Sequence, residues 1–430
     1  MRKDGFEMRW QEDYKKKLVP ADEAARAVKS GDVVVIPYRT NTQVIPQAIA
    51  KRKNELRNVE IIIGSPRVDA AIFADAPESF NVTPPSGKES PSDFVPSLFS
   101  LSYKALDEKR EGAYKEVDVA VVAVSPPDDN GVCCFGHSLF HQKGYAKRAK
   151  KVLAEVNRKL IRTGGDNFIH VSEIDYFVAH DTPVVEVSGK GAPIPEFVSV
   201  KTIAKYIESL IKDGDIISLG AGVAVEPLAQ MGTFDNKHDL GYWAGGSRFG
   251  IIKLAKTGNM TGKYNNLTPG KIVASGFYGD DDDIAFMDNN PLFEIYGYEY
   301  MNNPVICAQI NNFVAINSMA SIDLTGQWTV GVTNTYGAYF PVGGVMSKGG
   351  RSILATPSTS KGGTVSRITA RFAAGTAVTL PAAFGDYVVT EYGIAKLFGK
   401  TLRQRAHELI AVAHPDFRAD LKKEAEKMYP

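Results

Sequence analysis

The residues with the most chemistry to offer are glycines and the polar groups beside them. Ile216-Ile217-Ser218-Leu219-Gly220-Ala221-Gly222 reads as a strand running into a glycine turn, with a helix following from Val223. Glycine lets backbone amides approach a ligand closely, and a helix start adds partial positive charge for an anionic oxygen or phosphate. The same pattern serves any tight strand-to-helix connection, and without a third glycine it is no dinucleotide fingerprint. The pairs Gly343-Gly344, Gly349-Gly350 and Gly362-Gly363 carry Lys348, Arg351, Lys361 and Arg367 among them. Free amides interleaved with cations are what a long phosphate-bearing ligand requires, and hairpin turns with solvated charges are the plainer reading. Gly258 to Lys263 has the wrong spacing for a Walker loop.

Other chemistry-bearing groups read as structural. His137 and His141 stand one helical turn apart, but Ser138 replaces the glutamate that a zinc-protease motif needs, so a pair on a helix surface is expected. Gly246-Ser247-Arg248 is no nucleophile elbow, because Phe249 stands where the second glycine belongs. Asp280 to Asp283 lacks the spacing of a calcium loop and reads as a solvated acidic loop. No metal-ligand set emerges. Glu391 follows the apolar run Val388-Val389, and a carboxylate partly buried there is catalytic or an anchor; the anchor is the favoured reading.

These groups must be positioned by a chain of 430 residues, more than one hydrophobic core normally serves. Short β-branched runs alternate with helical patterns, which calls for mostly parallel sheets covered by helices. Val117 to Val124 is a nearly continuous apolar run, as a strand buried on both faces should be, and it stops at Ser125-Pro126-Pro127-Asp128. Lys29-Ser30-Gly31-Asp32-Val33-Val34 recurs in pattern as Lys212-Asp213-Gly214-Asp215-Ile216-Ile217, and in each a glycine cap leads straight into a strand. Two α/β halves are expected, residues 1–190 and 191–430, with the break near the Gly- and Pro-rich stretch from Val185 to Val198. Pro415 separates two terminal helices.

A net charge of +1 with 44% hydrophobic residues points to neither nucleic acid nor an acidic surface. Three cysteines suit a reducing compartment, Met1 to Lys17 has no apolar core of a signal peptide, and no apolar run is of membrane-span length. A cytoplasmic protein is expected, with neither membrane nor nucleic acid as partner.

Taken in order, several stretches resemble the acetyl-CoA hydrolase/transferase family, which includes the 4-hydroxybutyrate and butyrate:acetate CoA-transferases. They are Ser125-Pro126-Pro127-Asp128 with Gly131, Ala154-Glu155-Val156-Asn157, Ile316-Asn317-Ser318, Asp323-Leu324-Thr325-Gly326-Gln327, Ser347-Lys348-Gly349-Gly350, Ser366-Arg367-Ile368, Val388 to Gly393 and Ala413-His414-Pro415-Asp416-Phe417-Arg418. The resemblance runs over essentially the whole chain. It implies two open α/β domains with the active site between them. In the family a glutamate attacks the acyl-CoA thioester and passes through an anhydride and a glutamyl-CoA thioester. It further implies an oxyanion hole at Gly220, Ala221 and Gly222, and coenzyme A held by Asn317, Gly343, Gly344, Met346, Lys348, Gly349, Gly350 and Ser366. Coenzyme A and its acyl thioesters are implied as substrates, with no tightly bound cofactor.

Three departures fall on positions that the resemblance places facing the substrate. Past His238-Asp239-Leu240-Gly241 the family's glutamate is expected four positions on, where this chain has Gly245, and no glutamate occurs between Glu226 and Glu294. The segment between Gln327 and Ser347 is shorter than usual and lacks the family's glycine-rich loop in recognisable form, with Thr335 to Phe340 in its neighbourhood; Pro381-Ala382 stands where Pro-Arg is expected. The reading that follows is a CoA-transferase in which the acceptor carboxylate attacks directly, with room beside Trp243 for a bulky or cyclic acyl group, and with Ser247 or Arg248 orienting a carboxylate. Glu60, Glu226, Glu294 or Glu391 swinging into the vacant place is a lesser option. The alternatives are a subunit whose homologous partner supplies the glutamate, an acyl-CoA hydrolase, and a CoA-ester binding protein without turnover. A homo-oligomer, or a hetero-oligomer with such a partner, is expected.

Overall fold

The computed structural model describes residues 4–64, 68–83, 97–101, 103–110, 115–184, 198–331 and 339–430. The expected break at 185–198 and the segment 332–338 fall largely or wholly outside them. The chain forms a mixed α/β structure of two units, with mostly parallel sheets. One comprises Met1–Val95, Ser100–Ser188 and Ser275–Glu299, the other Pro96–Phe99, Gly189–Ala274 and Tyr300–Pro430. A single division at residue 190 is therefore corrected: Ser275–Glu299 belongs with the first unit. The backbone explains why, since Phe293–Ile295 pairs with Gly164–Gly165, and the amides of Leu139 and Phe140 both donate to Ser275 O.

The first unit is built on β1 (Val33–Ile36), β2 (Val59–Ile63), β3 (Phe80–Thr83), β4 (Val119–Val124), β5 (Lys151–Val156) and β6 (Tyr176–Ala179). They lie in the order β3-β2-β1-β4-β5-β6, all parallel. All six residues of β4 are buried, as its unbroken apolar run requires of a strand covered on both faces.

The second unit repeats this plan. Its strands are β7 (Ile216–Leu219), β8 (Gly241–Ala244), β9 (Ile272–Ala274), β10 (Phe313–Ser318), β11 (Arg351–Ala355), β12 (Tyr387–Thr390) and β13 (Gly393–Lys396). They run in the order β9-β8-β7-β10-β11-β12-β13, and only β13 is antiparallel to its neighbour. In each unit the chain starts in the middle, builds outward to one side, then returns to build on the other.

The repeated sequence pattern occupies equivalent places. Gly31 (φ 84°) and Gly214 (φ 78°) both turn in the left-handed region just before the first central strand. Asp32 accepts from the amide of Lys29 at 2.8 Å, and Asp215 from that of Lys212 at 2.7 Å. The glycine amides donate to Arg57 O and His238 O respectively. Asp215 is also paired, inside the second unit, with buried Arg351.

Three sequence expectations are corrected. No helix follows Gly222: residues 223–236 form successive turns, and Pro227, lacking an N–H, would break the first turns of a helix begun at Val223. His137 and His141 are on no helix surface; both are buried in irregular backbone, where Phe140 is left-handed at φ 42°. Burial pushes the His141 imidazole down to about 4, and its Nδ1 lies 3.0 Å from the Tyr103 hydroxyl. Asp280 to Asp283 is no loop, because Asp280 caps helix Asp281–Met287 by accepting from Asp283 N.

In the first unit one carboxylate does the work of a missing cap. Helix Val44–Lys51 has no side-chain cap of its own, and Glu155, on β5, accepts from Gln43 N at 2.9 Å and Ile45 N at 2.8 Å. Burial raises the Glu155 pKa to about 7, against the lowering effect of those amides. The native state thus keeps a proton that the unfolded chain releases near 4.5, so stability falls as pH rises from 4.5 through 7. The loss is about 3 kcal/mol at most. Glu155→Gln should flatten this slope, as read from urea midpoints at pH 5 and pH 8; a wild-type slope in the variant would refute the assignment.

Candidate active site

In an open parallel sheet, a crevice forms at the carboxyl ends of the strands where the building direction reverses. In the second unit that point lies between β7 and β10. Four segments leave the carboxyl edge there or close by: Gly220–Gly222 after β7, Gly245–Arg248 after β8, Asn317–Ser318 at the end of β10, and Thr356–Ser358 after β11.

The first three are fitted closely together. A Cβ on Gly220 would lie 2.6 Å from Asn317 Nδ2, and one on Gly222 2.4 Å from Ser318 Oγ. Gly222 also has φ 113°, so glycine is required there on two counts. Gly220 N donates to Ile316 O at 2.8 Å. That bond extends the sheet and takes the Gly220 amide out of the expected oxyanion hole, leaving those of Ala221 and Gly222 as the candidates.

Arg248 ties the turns together. Its Nε donates to Gly220 O at 3.1 Å and its Nη1 to Ser247 O at 3.0 Å. The Tyr242 hydroxyl donates to Gly246 O at 3.1 Å, and burial raises its pKa. Gly245 and Ser247 are buried, just past the end of β8.

Trp243 does not face this crevice. Its ring is wholly buried, donates from Nε1 to Met301 O at 3.2 Å and packs 5.5 Å from the Tyr300 ring. The expectation of space beside it for an acyl group is corrected: Trp243 is a core residue.

Asn317 and Ser318 differ from the other buried polar groups of this edge. Asn317 Oδ1 and Ser318 Oγ are buried atoms without a hydrogen-bond partner among the described residues. Most buried polar atoms are paired, so unpaired ones at the carboxyl edge of the sheet are candidates for contact with a ligand. Ser318 was not singled out from the sequence, although the signal was there: two polar residues close the apolar run Phe313 to Ile316.

The remaining expected site residues divide. Glu391 is an anchor: Ser358 N donates to its Oε2 at 2.8 Å and Ser358 Oγ to its Oε1 at 2.7 Å. Ser366 lies in the hairpin beyond β11, its hydroxyl donating to Ile368 O at 2.7 Å. Gly343 and Gly344 are buried in helix Phe340–Met346, where a Cβ would lie 2.4 Å from Cys307 Cβ and 2.4 Å from Arg351 O respectively. Lys348, Gly349 and Gly350 turn against Asn312 and Phe313, with Asn312 N donating to Lys348 O at 2.8 Å.

That last turn is at the amino ends of β10 and β11, on the opposite edge of the sheet from Gly220–Gly222. At about 3.3 Å per residue, the length of β10 separates them. The Gly343–Gly350 run therefore does not join the glycine turn within this unit, and packing accounts for its four glycines. Of the cations among the pairs, Arg351 is used by Asp215, and Arg367 donates to Thr359 O and Ala320 O. Met346 (63% exposed) and Lys348 lie at the surface. Among the described residues, no group of three or more His, Cys, Asp or Glu could hold a metal ion, and no helix is long and apolar enough to cross a membrane.

Two mostly parallel α/β units, the second with a glycine turn at the reversal point of its sheet, define an α/β class that hosts many activities, and family comparison narrows it. Residues 2–188 match the acetyl-CoA hydrolase/transferase N-terminal domain and residues 279–425 the C-terminal domain. The chain belongs to the acetyl-CoA hydrolase/transferase family and is an enzyme of the CoA-transferase class. It is 38% identical to the 4-hydroxybutyrate coenzyme A transferase of Clostridium kluyveri, over 98% of this chain and 100% of that one. It is 33% identical to the succinyl-CoA:cyclohexane-1-carboxylate CoA transferase of Geobacter metallireducens, over 97% of each. The crystal structure of 4-hydroxybutyrate CoA-transferase from Porphyromonas gingivalis superposes with a TM-score of 0.83 at 32% identity, over 98% of this chain and 100% of that one.

If Glu391 is an anchor, Glu391→Ala must lose stability, because Ser358 N and Ser358 Oγ then both lose their acceptor. The expected cost is about 1–3 kcal/mol in urea unfolding. A variant as stable as wild type would show that the pair contributes nothing.

Proposed function

We propose that this enzyme moves coenzyme A from an acyl-CoA to a free carboxylic acid by direct attack of the acceptor carboxylate, with both acids and coenzyme A held together. The observation that carries this reading is Gly245, buried past the end of β8 at the place where the family's glutamate is expected, in a stretch without glutamate from 227 to 293. Without that side chain no glutamyl anhydride forms there, and the acceptor itself is the carboxylate at hand.

The steps balance without a proton. An acceptor oxygen bonds to the thioester carbonyl carbon, the C–S bond breaks, and coenzyme A leaves as thiolate with a mixed anhydride beside it. The thiolate then attacks the acceptor-derived carbonyl, and the donor acid departs as carboxylate. Such chemistry needs hydrogen-bond donors and proximity rather than an acid and a base. The crevice is furnished accordingly, with the amides of Ala221 and Gly222, the guanidinium of Arg248 and the neutral side chains of Asn317 and Ser318.

A bulky or cyclic acid suits a site that has lost a side chain, and the cyclohexane-1-carboxylate named for the Geobacter relative favours the same class. The membership test is mass spectrometry of the purified chain with acetyl-, butyryl- and succinyl-CoA against acetate, benzoate and cyclohexane-1-carboxylate. A new acyl-CoA is expected. Free coenzyme A alone would make the enzyme a hydrolase, and no change would point to a missing subunit or to binding without turnover. For the mechanism, double-reciprocal plots at several fixed acid concentrations should intersect, as a ternary complex requires. Parallel lines would overturn direct attack and return the search to a covalent carboxylate, with Glu226, in the turn after Gly222, the first to replace.

A further inference from the structure

Ser318 stands at the end of the central strand β10, with Ala355 of β11 opposite it in the ladder, and its hydroxyl meets the backbone of Gly222. A serine hydroxyl has one proton to donate and two lone pairs, and a buried one normally finds a partner. This one has none among the described residues, and neither does Asn317 Oδ1 beside it. Leaving such atoms unpaired costs stability, so something other than folding keeps them there.

The role of a nucleophile does not fit. A serine attacks a thioester only when a base within hydrogen-bond reach takes its proton, and Ser318 Oγ has no such partner among the described residues. What remains is donation. The glycine turn that Ser318 touches also holds Arg248, bonded to Gly220 O, so the local field favours an anion. Asn317 serves that anion only through its amide NH2, and because its Oδ1 is committed to no donor among the described residues, the side chain is free to turn that edge toward it. Both groups stay neutral at any working pH, so the donors remain in place whatever the ionisation of the acid.

Resting on the transferase reading above, we propose that Ser318, with Asn317 supporting it, holds the carboxylate of the acceptor acid beside the Gly220–Gly222 turn. The hydroxyl donates to the oxygen that does not attack, and so aims the other one at the thioester. The residue acts in the ground state, by orientation.

The test is Ser318→Ala, with Ser318→Cys as the conservative variant, assayed on whichever acyl-CoA and acid wild type turns over fastest in the panel. For the alanine variant, KM for the acid should rise about ten-fold or more, as loss of a hydrogen bond to a charged group implies, while KM for the acyl-CoA holds within about two-fold. The cysteine variant, a weaker donor, should fall between. The melting temperature of Ser318→Ala should equal or exceed that of wild type, because an unpaired buried hydroxyl has been removed. A lowered melting temperature with an unchanged KM would make Ser318 a packing residue and overturn the proposal. A fall in kcat with both KM values unchanged would place the hydroxyl on the developing oxyanion, and would equally overturn the carboxylate assignment.

Failure of direct attack shows separately, as parallel lines for wild type, and leaves the KM comparison readable. Should wild type turn over no pair, the same assignment is read from binding. Cyclohexane-1-carboxylate, benzoate or acetate, added with coenzyme A, should raise the wild-type melting temperature and not that of Ser318→Ala. No shift in wild type, or an equal shift in both, would overturn it.

Discussion

Parallel pairing of β7 with β10 is the constraint on which the second unit depends. Ile216, Ile217, Ser218 and Leu219 sit beside Phe313, Val314, Ala315 and Ile316, so both strands end at one edge. One leads into β8 on its far side, while the other is followed by β11 on the opposite side. The connections must diverge, and the space they leave is the crevice. Backbone forms one wall, because Gly220 and Gly222 have no side chains to fill it, and Asn317 and Ser318 occupy the room that such side chains would take. The glycines serve close approach first, and any use of their amides by a ligand follows from that.

The two units solve the same topological problem with different contents. In the first, the helix after β1 begins at Val44, and Glu155 from β5, one strand beyond β4, caps its N-terminus with the protein's own carboxyl group. In the second, the chain after β7 makes turns instead of a helix, and among the described residues no acidic side chain bonds to Ser318 or to Asn317 Oδ1. A polar position satisfied internally is closed to a ligand. One left unsatisfied costs stability and is available to a ligand, which is the usual trade between stability and function.

Many of the residues by which the chain resembles its family hold turns rather than substrates. Asp128 accepts from Asn130 N and Val132 N and meets Arg162 at 2.8 Å; Asp323 accepts from Thr325 N and Gln327 N; Thr390 donates to Val412 O. Glu155 and Glu391 are anchors of the same kind. Signatures of this sort identify a fold reliably because they specify backbone geometry. They say less about which acid is handled, since substrate-facing positions are the ones free to change once the frame is secure.

Local rules were enough for much of this protein. The buried run through β4, the left-handed glycine turns at Gly31 and Gly214 and the proline between the last helices were all legible from residue type and spacing, because each depends on neighbours in the chain. The gap in glutamates was equally plain, since an absent side chain needs no structure to be noticed. Tertiary structure decided what distance decides. It put Trp243 in the core, sent Gly349-Gly350 to the amino edge of the sheet, moved Ser275–Glu299 into the first unit and brought Ser318 to Gly222 across the sheet. Spacing along a chain cannot say which end of a parallel sheet a turn occupies, or which polar atom finds no partner, because both depend on strands separated by about a hundred residues that meet only when the sheet closes.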